Sequence, residues 1–261
     1  ELIDMAKQVK ADSGGEVAGA AMRGLRTDTN IDTISGLVFN AWGDRPIEGP
    51  YGVWFDGDWN KPRLDDPAIQ KGLSDYAGLM QAGPSDILSY NWNEAGNAFC
   101  NGQAAFFADA SLFGPWFETD DCPISKGNTG YMALPPQEKG GTSYTANWQW
   151  GIGMGANAQE KDAGWYFIQY MTNKSSEPKI GTFHGGAGRL STWENDEYTS
   201  TLNPDYVSAT LESMKTVRTS VVPVKDFNKY ALEVMDVILK IHAGESSEAA
   251  TAEGNKNFKN M

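Results

Sequence analysis

The sequence predicts an α/β fold, and three observations support that prediction. Residues 103–108 form an apolar run that is too short and too apolar for a surface helix and is typical of a buried strand. Residues 17–22 predict a second strand, preceded by an amphipathic helix over residues 1–10. Longer amphipathic segments separate and follow these strands, as expected where helices cover a sheet.

Length and composition limit the class of protein. At 261 residues the chain is long enough for one large domain or two interleaved domains with a real core. Hydrophobic residues make up 40% and aromatic residues 11% of the chain, with nine Trp, which excludes a disordered chain. The 34 acidic and 21 basic residues give a net charge of −13 and disfavour nucleic acid or an anionic membrane surface as partners. No apolar run approaches the length of a membrane span.

The other elements follow from hydrophobic spacing, capping residues and Gly or Pro breaks. Helices are predicted over residues 31–42, 68–81, 93–101, 162–173, 206–217 and 226–243, and further strands over 130–134 and 147–155. The apolar helix 162–173 is expected to be buried, and the polar segment 245–261 to lie on the surface or fray. A solvated β-hairpin is expected within residues 43–67, a glycine-rich loop at 181–191, and an extended crossing at Val221-Val222-Pro223.

Asp109 is the first candidate for a binding role. The predicted strand 103–108 delivers it to the carboxyl end of a sheet, where ligands bind in α/β proteins, before a turn at Gly114-Pro115. A carboxylate beside aromatic faces suits a carbohydrate or polyol, because these ligands combine hydroxyl groups with C–H surface. The alternative is structural: Asp109 caps a helix that begins near Leu112, and the aromatic residues belong to the core.

Other motifs predict no cofactor and no metal. The Asp56-Gly57-Asp58 loop lacks the spaced ligands of a calcium loop. The glycine-rich loop has neither the Gly-Lys-Ser/Thr motif of a phosphate-binding loop nor the glycine spacing of a dinucleotide-binding motif. Arg189 in that loop is either a surface cation or a donor to a hydroxylated ligand. Cys100 and Cys122 have no His nearby, which leaves a disulfide or two free thiols.

Eight short motifs occur in an order that resembles the extracytoplasmic solute-binding proteins of bacterial ABC importers for sugars and polyols, the group of maltose-, sorbitol- and mannitol-binding proteins. The motifs are spread over almost the whole chain: Ala20-Ala21-Met22-Arg23-Gly24, Leu64-Asp65-Asp66-Pro67, Ser89-Tyr90-Asn91-Trp92-Asn93-Glu94 with Gly102-Gln103-Ala104-Ala105, Asp109-Ala110-Ser111, Gly130-Tyr131 with Leu134-Pro135, Trp150-Gly151-Ile152, Lys161-Asp162-Ala163, and Arg189-Leu190-Ser191 with Trp193.

The resemblance implies a periplasmic-binding-protein-like (type II) fold, in which two α/β lobes joined by a hinge close on a sugar. Residues 1–148 would form the first part of the C-terminal lobe, residues 149–200 the remaining part of the N-terminal lobe, and residues 201–261 the helical second part of the C-terminal lobe. The chain begins where the second lobe of the family begins, so the N-terminal lobe is expected to be incomplete.

The resemblance also implies roles for particular residues. Asp109 would accept hydroxyl hydrogen bonds, Trp148 or Trp150 would stack on the sugar, and Arg189 would donate from the other lobe. Arg23, Trp42 and Tyr90 are further candidates.

The function that the resemblance implies is that of a non-enzymatic, monomeric receptor, periplasmic or lipid-anchored at the cell surface. It would deliver a sugar or polyol to the membrane subunits of an ABC permease. One alternative is a glycoside hydrolase that uses two carboxylates among Asp56, Asp58, Asp109 and Glu118. The other is a surface adhesin that holds a protein through its aromatic residues.

Overall fold

The computed structural model describes residues 1–47, 49–184, 186–220, 222–223 and 225–259. Its helices are α1 (Leu2–Asp12), α2 (Ile31–Trp42), α3 (Pro67–Gln81), α4 (Trp92–Cys100), α5 (Phe113–Phe117), α6 (Lys161–Thr172), α7 (Glu177–His184), α8 (Leu190–Trp193), α9 (Asp196–Thr199), α10 (Pro204–Met214), α11 (Phe227–His242) and α12 (Ser247–Phe258). Its strands are β1 (Ala18–Ala21), β2 (Ala104–Phe107), β3 (Thr145–Asn147) and β4 (Val217–Thr219).

The strands pair as two parallel ladders. Strand β1 pairs with β2, so that Ala18 lies opposite Ala104, and β3 pairs with β4, so that Thr145 lies opposite Val217. Parallel pairing requires a crossover between partners, and helices occur in both crossovers. In each ladder the carboxyl ends of the two strands therefore lie at the same edge.

The chain divides into two compact units. The first contains Glu1–Asp109, Ala133–Trp148 and Ser213–Met261, and the second contains Ala110–Met132 and Gln149–Glu212. The boundary after Trp148 coincides with a predicted lobe boundary, whereas residues 110–132 and 201–212 group with the second unit. The assignment of these units to the lobes of the family stays a prediction.

Helices α2, α3 and α11 form the core of the first unit. Asp66 caps the amino end of α3, where its side chain accepts a hydrogen bond from the backbone N–H of Ala68, and Pro67 occupies the first turn. Helix α2 crosses α3 at Gly72, where an added Cβ would lie 2.6 Å from the Cα of Val38. The glycine is needed because the two backbones approach so closely.

The carboxy-terminal segment corrects one prediction. Helix α12 neither frays nor remains on the surface: it buries Ala250, Gly254 and Phe258 against the first unit. The ring of Phe258 stacks on Tyr230 of α11 with centroids 3.9 Å apart. Small residues on α12 permit this packing, which a count of large apolar side chains does not detect.

The second unit is built around aromatic residues. Trp193 contacts Tyr198 edge to face at 5.4 Å and Tyr206 at 5.9 Å, and all three rings are buried. Helix α6 occurs where the sequence predicts it, but it has no fully buried residue, and Trp165, Tyr166, Phe167 and Tyr170 are more than half exposed. The expectation that this helix is buried was therefore wrong.

Three further predictions are corrected. Residues 130–134 form no strand, and the strand predicted at 147–155 is β3, which ends at Asn147. Helix α5 runs through Gly114-Pro115 in place of the expected turn, with Leu112 rather than Asp109 at its N-cap. Within residues 43–67 the predicted solvated hairpin is confirmed among the described residues: Phe55 bridges antiparallel to Pro62, and the turn at Asp56, Gly57 and Asp58 is exposed. Trp54 and Phe55, at its base, are buried.

The predicted glycine-rich loop is also partly helical, since α7 extends to His184. Gly185, within that loop, lies outside the described residues, as does Val221 of the predicted crossing.

Candidate functional site

An ion pair lies at the carboxyl edge of the β1–β2 ladder. Arg23 follows β1 and Asp109 follows β2, each by two residues, so that parallel pairing brings the two side chains together. Arg23 Nε donates to Asp109 Oδ2 at 2.7 Å and Nη2 to Oδ1 at 2.6 Å, the bidentate geometry that a guanidinium favours with a carboxylate. Both side chains are almost completely buried.

The remaining donors around this pair are also used. Thr33 of α2 accepts from Arg23 Nη2 at 2.8 Å and donates to Asp109 Oδ1 at 3.3 Å. Arg23 Nη1 donates to the carbonyl of Thr29 at 3.2 Å. Burial lowers the pKa of Arg23, but the hydrogen bond and charge of Asp109 outweigh it, and the pKa is raised overall. The pair is thus a buried, hydrogen-bonded support at the ends of the two strands.

Two tryptophans extend the cluster. Trp92, the first residue of α4, points its indole Nε1 at Asp109 Oδ1 at 3.4 Å, and its ring lies 5.6 Å from the Arg23 guanidinium carbon. Trp148 directly follows β3 and meets Trp92 edge to face with ring centroids 6.3 Å apart. Both rings are partly exposed. Flat apolar faces therefore adjoin a network of polar groups.

The fourth strand contributes a hydroxyl. Ser220 directly follows β4, donates to the carbonyl of Asn147 at 3.1 Å, and lies 3.4 Å from a carboxylate oxygen of Asp32 in the first turn of α2. Burial raises the pKa of Asp32 to about 6, although Arg23 and the Ser220 hydroxyl act in the opposite direction. A polar or aromatic side chain thus stands just beyond the carboxyl end of each strand.

Only some of the predicted site residues lie close together in the structure. It brings together Asp109, Arg23 and Trp148. The Tyr90 ring packs on a small alanine cluster beside β1 and β2. Trp42 lies in the core, 3% exposed, where its indole donates to the carbonyl of Arg45 and its ring lies under the Arg45 guanidinium.

Trp150 and Arg189 lie in the second unit. Trp150 is 74% exposed. Arg189 Nε donates to the carbonyl of Thr172 at 2.9 Å, which ties the start of α8 to the end of α6. Whether Arg189 also donates to a ligand stays a prediction.

Sequence reasoning did not select Asp32, Thr33, Trp92 or Ser220 as site residues. The first two lie in the opening turn of a helix, and Ser220 follows a strand of three residues that spacing does not reveal. Trp92 was available as part of the Tyr90-Asn91-Trp92 motif, directly after the helix cap. A search for polar and aromatic residues at helix starts would have found three of the four.

Comparison with known families identifies the class. Residues 1–178 match the family described as bacterial extracellular solute-binding protein. Because this match covers more than half of the 261 residues, the chain belongs to that family.

A curated relative is the mannitol-binding protein of Pseudomonas aeruginosa, which is 28% identical over 207 residues, equal to 76% of this chain and 44% of the relative. The chain therefore spans less than half the length of that relative.

Solved structures share the fold. Solute-binding proteins of ABC transporters from Agrobacterium radiobacter, in complex with ribitol, and Agrobacterium vitis, with bound D-mannitol, both give a TM-score of 0.77 at 20% and 21% identity. The maltose-bound MalE3 of T. maritima gives 0.78 at 19% identity. Each match covers 99% of this chain and 63% or 64% of the solved one. These likenesses confirm the predicted α/β fold of the type II periplasmic-binding-protein kind.

Among the residues that the structure describes, no helix combines the length and the apolar character that crossing a bilayer requires.

Proposed function

We propose that the protein is an extracytoplasmic receptor that binds a sugar or sugar alcohol and delivers it to the membrane subunits of an ABC permease. Membership of the solute-binding family supports this function, and so does the mannitol-binding relative. The protein would act as a monomer, without cofactor and without catalysis.

The observation that supports a carbohydrate ligand most directly is the combination of Trp92 and Trp148 with the Arg23–Asp109 pair at the strand ends. Sugar rings and polyol chains present C–H surface to aromatic faces and hydroxyls to charged acceptors, so both features are needed. The ion pair holds Trp92 in place, because the indole N–H points at Asp109.

The contacts of four carboxylates favour binding over hydrolysis. Asp56 pairs with Arg63, Asp58 accepts from the backbone of Asn60, Asp109 pairs with Arg23, and Glu118 accepts from Tyr131 and Asn203. A glycosidase needs two carboxyl groups that face each other across the substrate. Each of these four groups has a structural partner instead.

Isothermal titration calorimetry with D-mannitol, ribitol, sorbitol and maltose tests the proposal, with amino acids as the contrasting ligand class. We expect saturable heat with at least one sugar or polyol. Heat with amino acids and none with any sugar or polyol would show that the substrate class is wrong.

A pair of variants then tests whether the site lies at the strand ends. Trp148→Ala should weaken binding by about tenfold or more, because a stacking face contributes about 1–2 kcal/mol. Trp165→Ala is the matched control, since this indole lies on α6 and is 56% exposed. Equal affinities of the two variants would place the ligand elsewhere.

A further inference from the structure

Asp32 differs from the other carboxylates around the ion pair. It lies in the first turn of α2, is partly buried, and has no cation in direct contact among the residues that the structure describes. Among the described residues its side chain contacts the Ser220 hydroxyl at 3.4 Å, which is long for an O–H···O bond. An ionised carboxylate can accept about four hydrogen bonds, so most of the capacity of Asp32 is unused.

The charged groups around Asp32 do not satisfy its free hydrogen-bond acceptors. Three charged groups act on it: Arg23 beyond β1, Asp109 beyond β2, and Asp28 in a single 3-10 turn (Asp28–Asn30) directly before α2. Arg23 favours the ionised form of Asp32, but its guanidinium is already engaged by Asp109, Thr29 and Thr33. Asp109 and Asp28 oppose ionisation. Asp32 is therefore held near a buried cation whose hydrogen bonds go to other residues.

We infer that Asp32 is the carboxylate that accepts hydroxyl hydrogen bonds from the bound sugar or polyol, and that Asp109 acts as a positioning residue through Arg23 and Trp92. The inference rests on the proposed function and deepens it. Its first support is geometric, because Asp32 has acceptor capacity beside Ser220 at the carboxyl edge of the β3–β4 ladder, whereas Asp109 accepts from Arg23, Thr33 and Trp92.

The second support is electrostatic. A carboxyl group whose pKa is raised to about 6 by burial lacks the hydrogen bonds that normally stabilise a carboxylate. Ligand hydroxyls would supply these bonds and favour the ionised form. Binding should consequently depend on whether Asp32 is ionised.

A purely structural role is the competing explanation. An acidic residue in the first turn of a helix stabilises that helix through the backbone dipole. In that case Asp32→Asn would lower stability and leave ligand affinity unchanged. The ligand role predicts the reverse: affinity falls, and the thermal midpoint does not.

The test is calorimetry on the purified protein with D-mannitol, ribitol and maltose, at about pH 5 and about pH 8. If only the ionised form binds, wild-type affinity should rise about tenfold between these two conditions, because the competent fraction rises by that factor around a pKa of about 6. Asp32→Asn should weaken binding at about pH 8 by about tenfold and abolish the pH dependence.

Two further variants sharpen the test. Asp28→Asn removes a negative charge close to Asp32 and should keep wild-type affinity at about pH 8. The midpoint of the pH profile should move down, because a negative charge that repels the ionised Asp32 is lost. Ser220→Ala should move that midpoint up, because its hydroxyl favours the ionised form. If Asp32→Asn does not fold, the shift of the pH midpoint in Ser220→Ala tests the inference in its place.

Each outcome decides the inference. The inference is supported if Asp32→Asn loses affinity for the ligand while Asp28→Asn keeps the wild-type affinity. Equal binding by wild type and Asp32→Asn, or a pH profile that Ser220→Ala leaves in place, overturns it while the proposed function stands. Absence of binding to all three ligands by wild type overturns the proposed function, and the inference fails with it.

Discussion

Arg23 and Asp109 show how a charged pair becomes part of a protein core. Each has an opposite charge in bidentate contact, and the other guanidinium donors reach Thr29 and Thr33. Removing one partner of such a pair is costly because the other charge stays buried without compensation. The pair supports the strand ends only while both members are present.

Asp109→Ala should therefore lower the free energy of unfolding by about 3–5 kcal/mol, measured by urea denaturation. Asp120→Ala is the control, because Asp120 pairs with Lys126 on the surface and its side chain is 94% exposed, so no measurable change is expected. If Asp109→Ala kept full stability and lost only ligand affinity, Asp109 would be a direct hydroxyl acceptor, as the sequence predicts.

Asp32 makes stability depend on pH. The pKa of this carboxyl is about 6 in the folded protein against an ordinary value of 3.8, so the folded state binds the proton more tightly than the unfolded state. The stability that protonation contributes is complete below about pH 4 and is lost as the pH rises through about 6.

Asp32→Asn should consequently be more stable than wild type by about 1–2 kcal/mol at about pH 8, after allowance for solvent screening of a partly exposed group. The difference should shrink toward about pH 4, where wild-type Asp32 is neutral as well. Urea denaturation at several pH values measures it. A variant less stable than wild type at about pH 8 would show that the helix-dipole effect dominates.

Residue positions were predictable where they followed from strands that hydrophobicity reveals. Arg23 and Asp109 follow β1 and β2, whose apolar runs the sequence displays, and both were selected. Their pairing was not foreseen, because it depends on the parallel register between Ala20 and Phe106. Asp32 escaped notice because its environment is created by residues up to 188 positions away, as with Ser220.

At the scale of elements, the amphipathic helices of the first unit were the most predictable features. Helix α2 has the bounds that its spacing predicts, and α3 begins at the Asp66-Pro67 signal. These helices bury one face against each other, so apolar spacing and contact agree.

Helices α6 and α12 show the limit of that agreement. The apolar residues of a helix show which side chains can be buried. Which of them are buried depends on the elements that pack against the helix. Helix α6 exposes Trp165 and Tyr166 despite its apolar sequence, and α12 is packed despite its polar one. In α12 the contacts come from Gly254, whose added Cβ would lie 2.7 Å from Val237, and from Asn255, which accepts from the backbone of Leu64.

The crossing of α2 and α3 gives a prediction at this scale. Gly72→Ala should lower the free energy of unfolding by about 1–3 kcal/mol or more, because the new methyl group meets the backbone of Val38 at 2.6 Å.

Gly78→Ala, on the same helix, faces only the side chain of Ile3 at 3.3 Å. There the change should stay within about 1 kcal/mol, because better helix propensity offsets a small adjustment of Ile3. Thermal and urea unfolding compare the two variants, and equal losses would argue against backbone contact as the cause.

At the scale of the whole molecule, the net charge restricts the class of partner and the two cysteines allow a cross-link. The net charge of −13 disfavours polyanionic partners and leaves uncharged solutes such as sugars unaffected. The family, established over residues 1–178, agrees with that restriction.

The two cysteines provide the last prediction. Cys100 and Cys122 are both buried and neither is free, which favours the disulfide over the two free thiols that the sequence left open. The denatured, unreduced protein should not react with maleimide, and it should take up two labels after reduction. Labelling before reduction would show that the bond is absent. The Cys100→Ser variant should leave a single thiol that reacts without reductant.

A polar or aromatic side chain lies just past each of the four strands of the described residues, and this placement has a consequence for how the proposed receptor would diversify. Trp148 and Ser220 are positioned by the backbone pairing of β3 and β4, in which Asn147 lies opposite Thr219. Under the proposed function, exchanges at these positions would alter the recognised solute while the helical core, with its close contact at Gly72, stays unchanged. Related receptors would then differ in the nutrient they bind through few mutations.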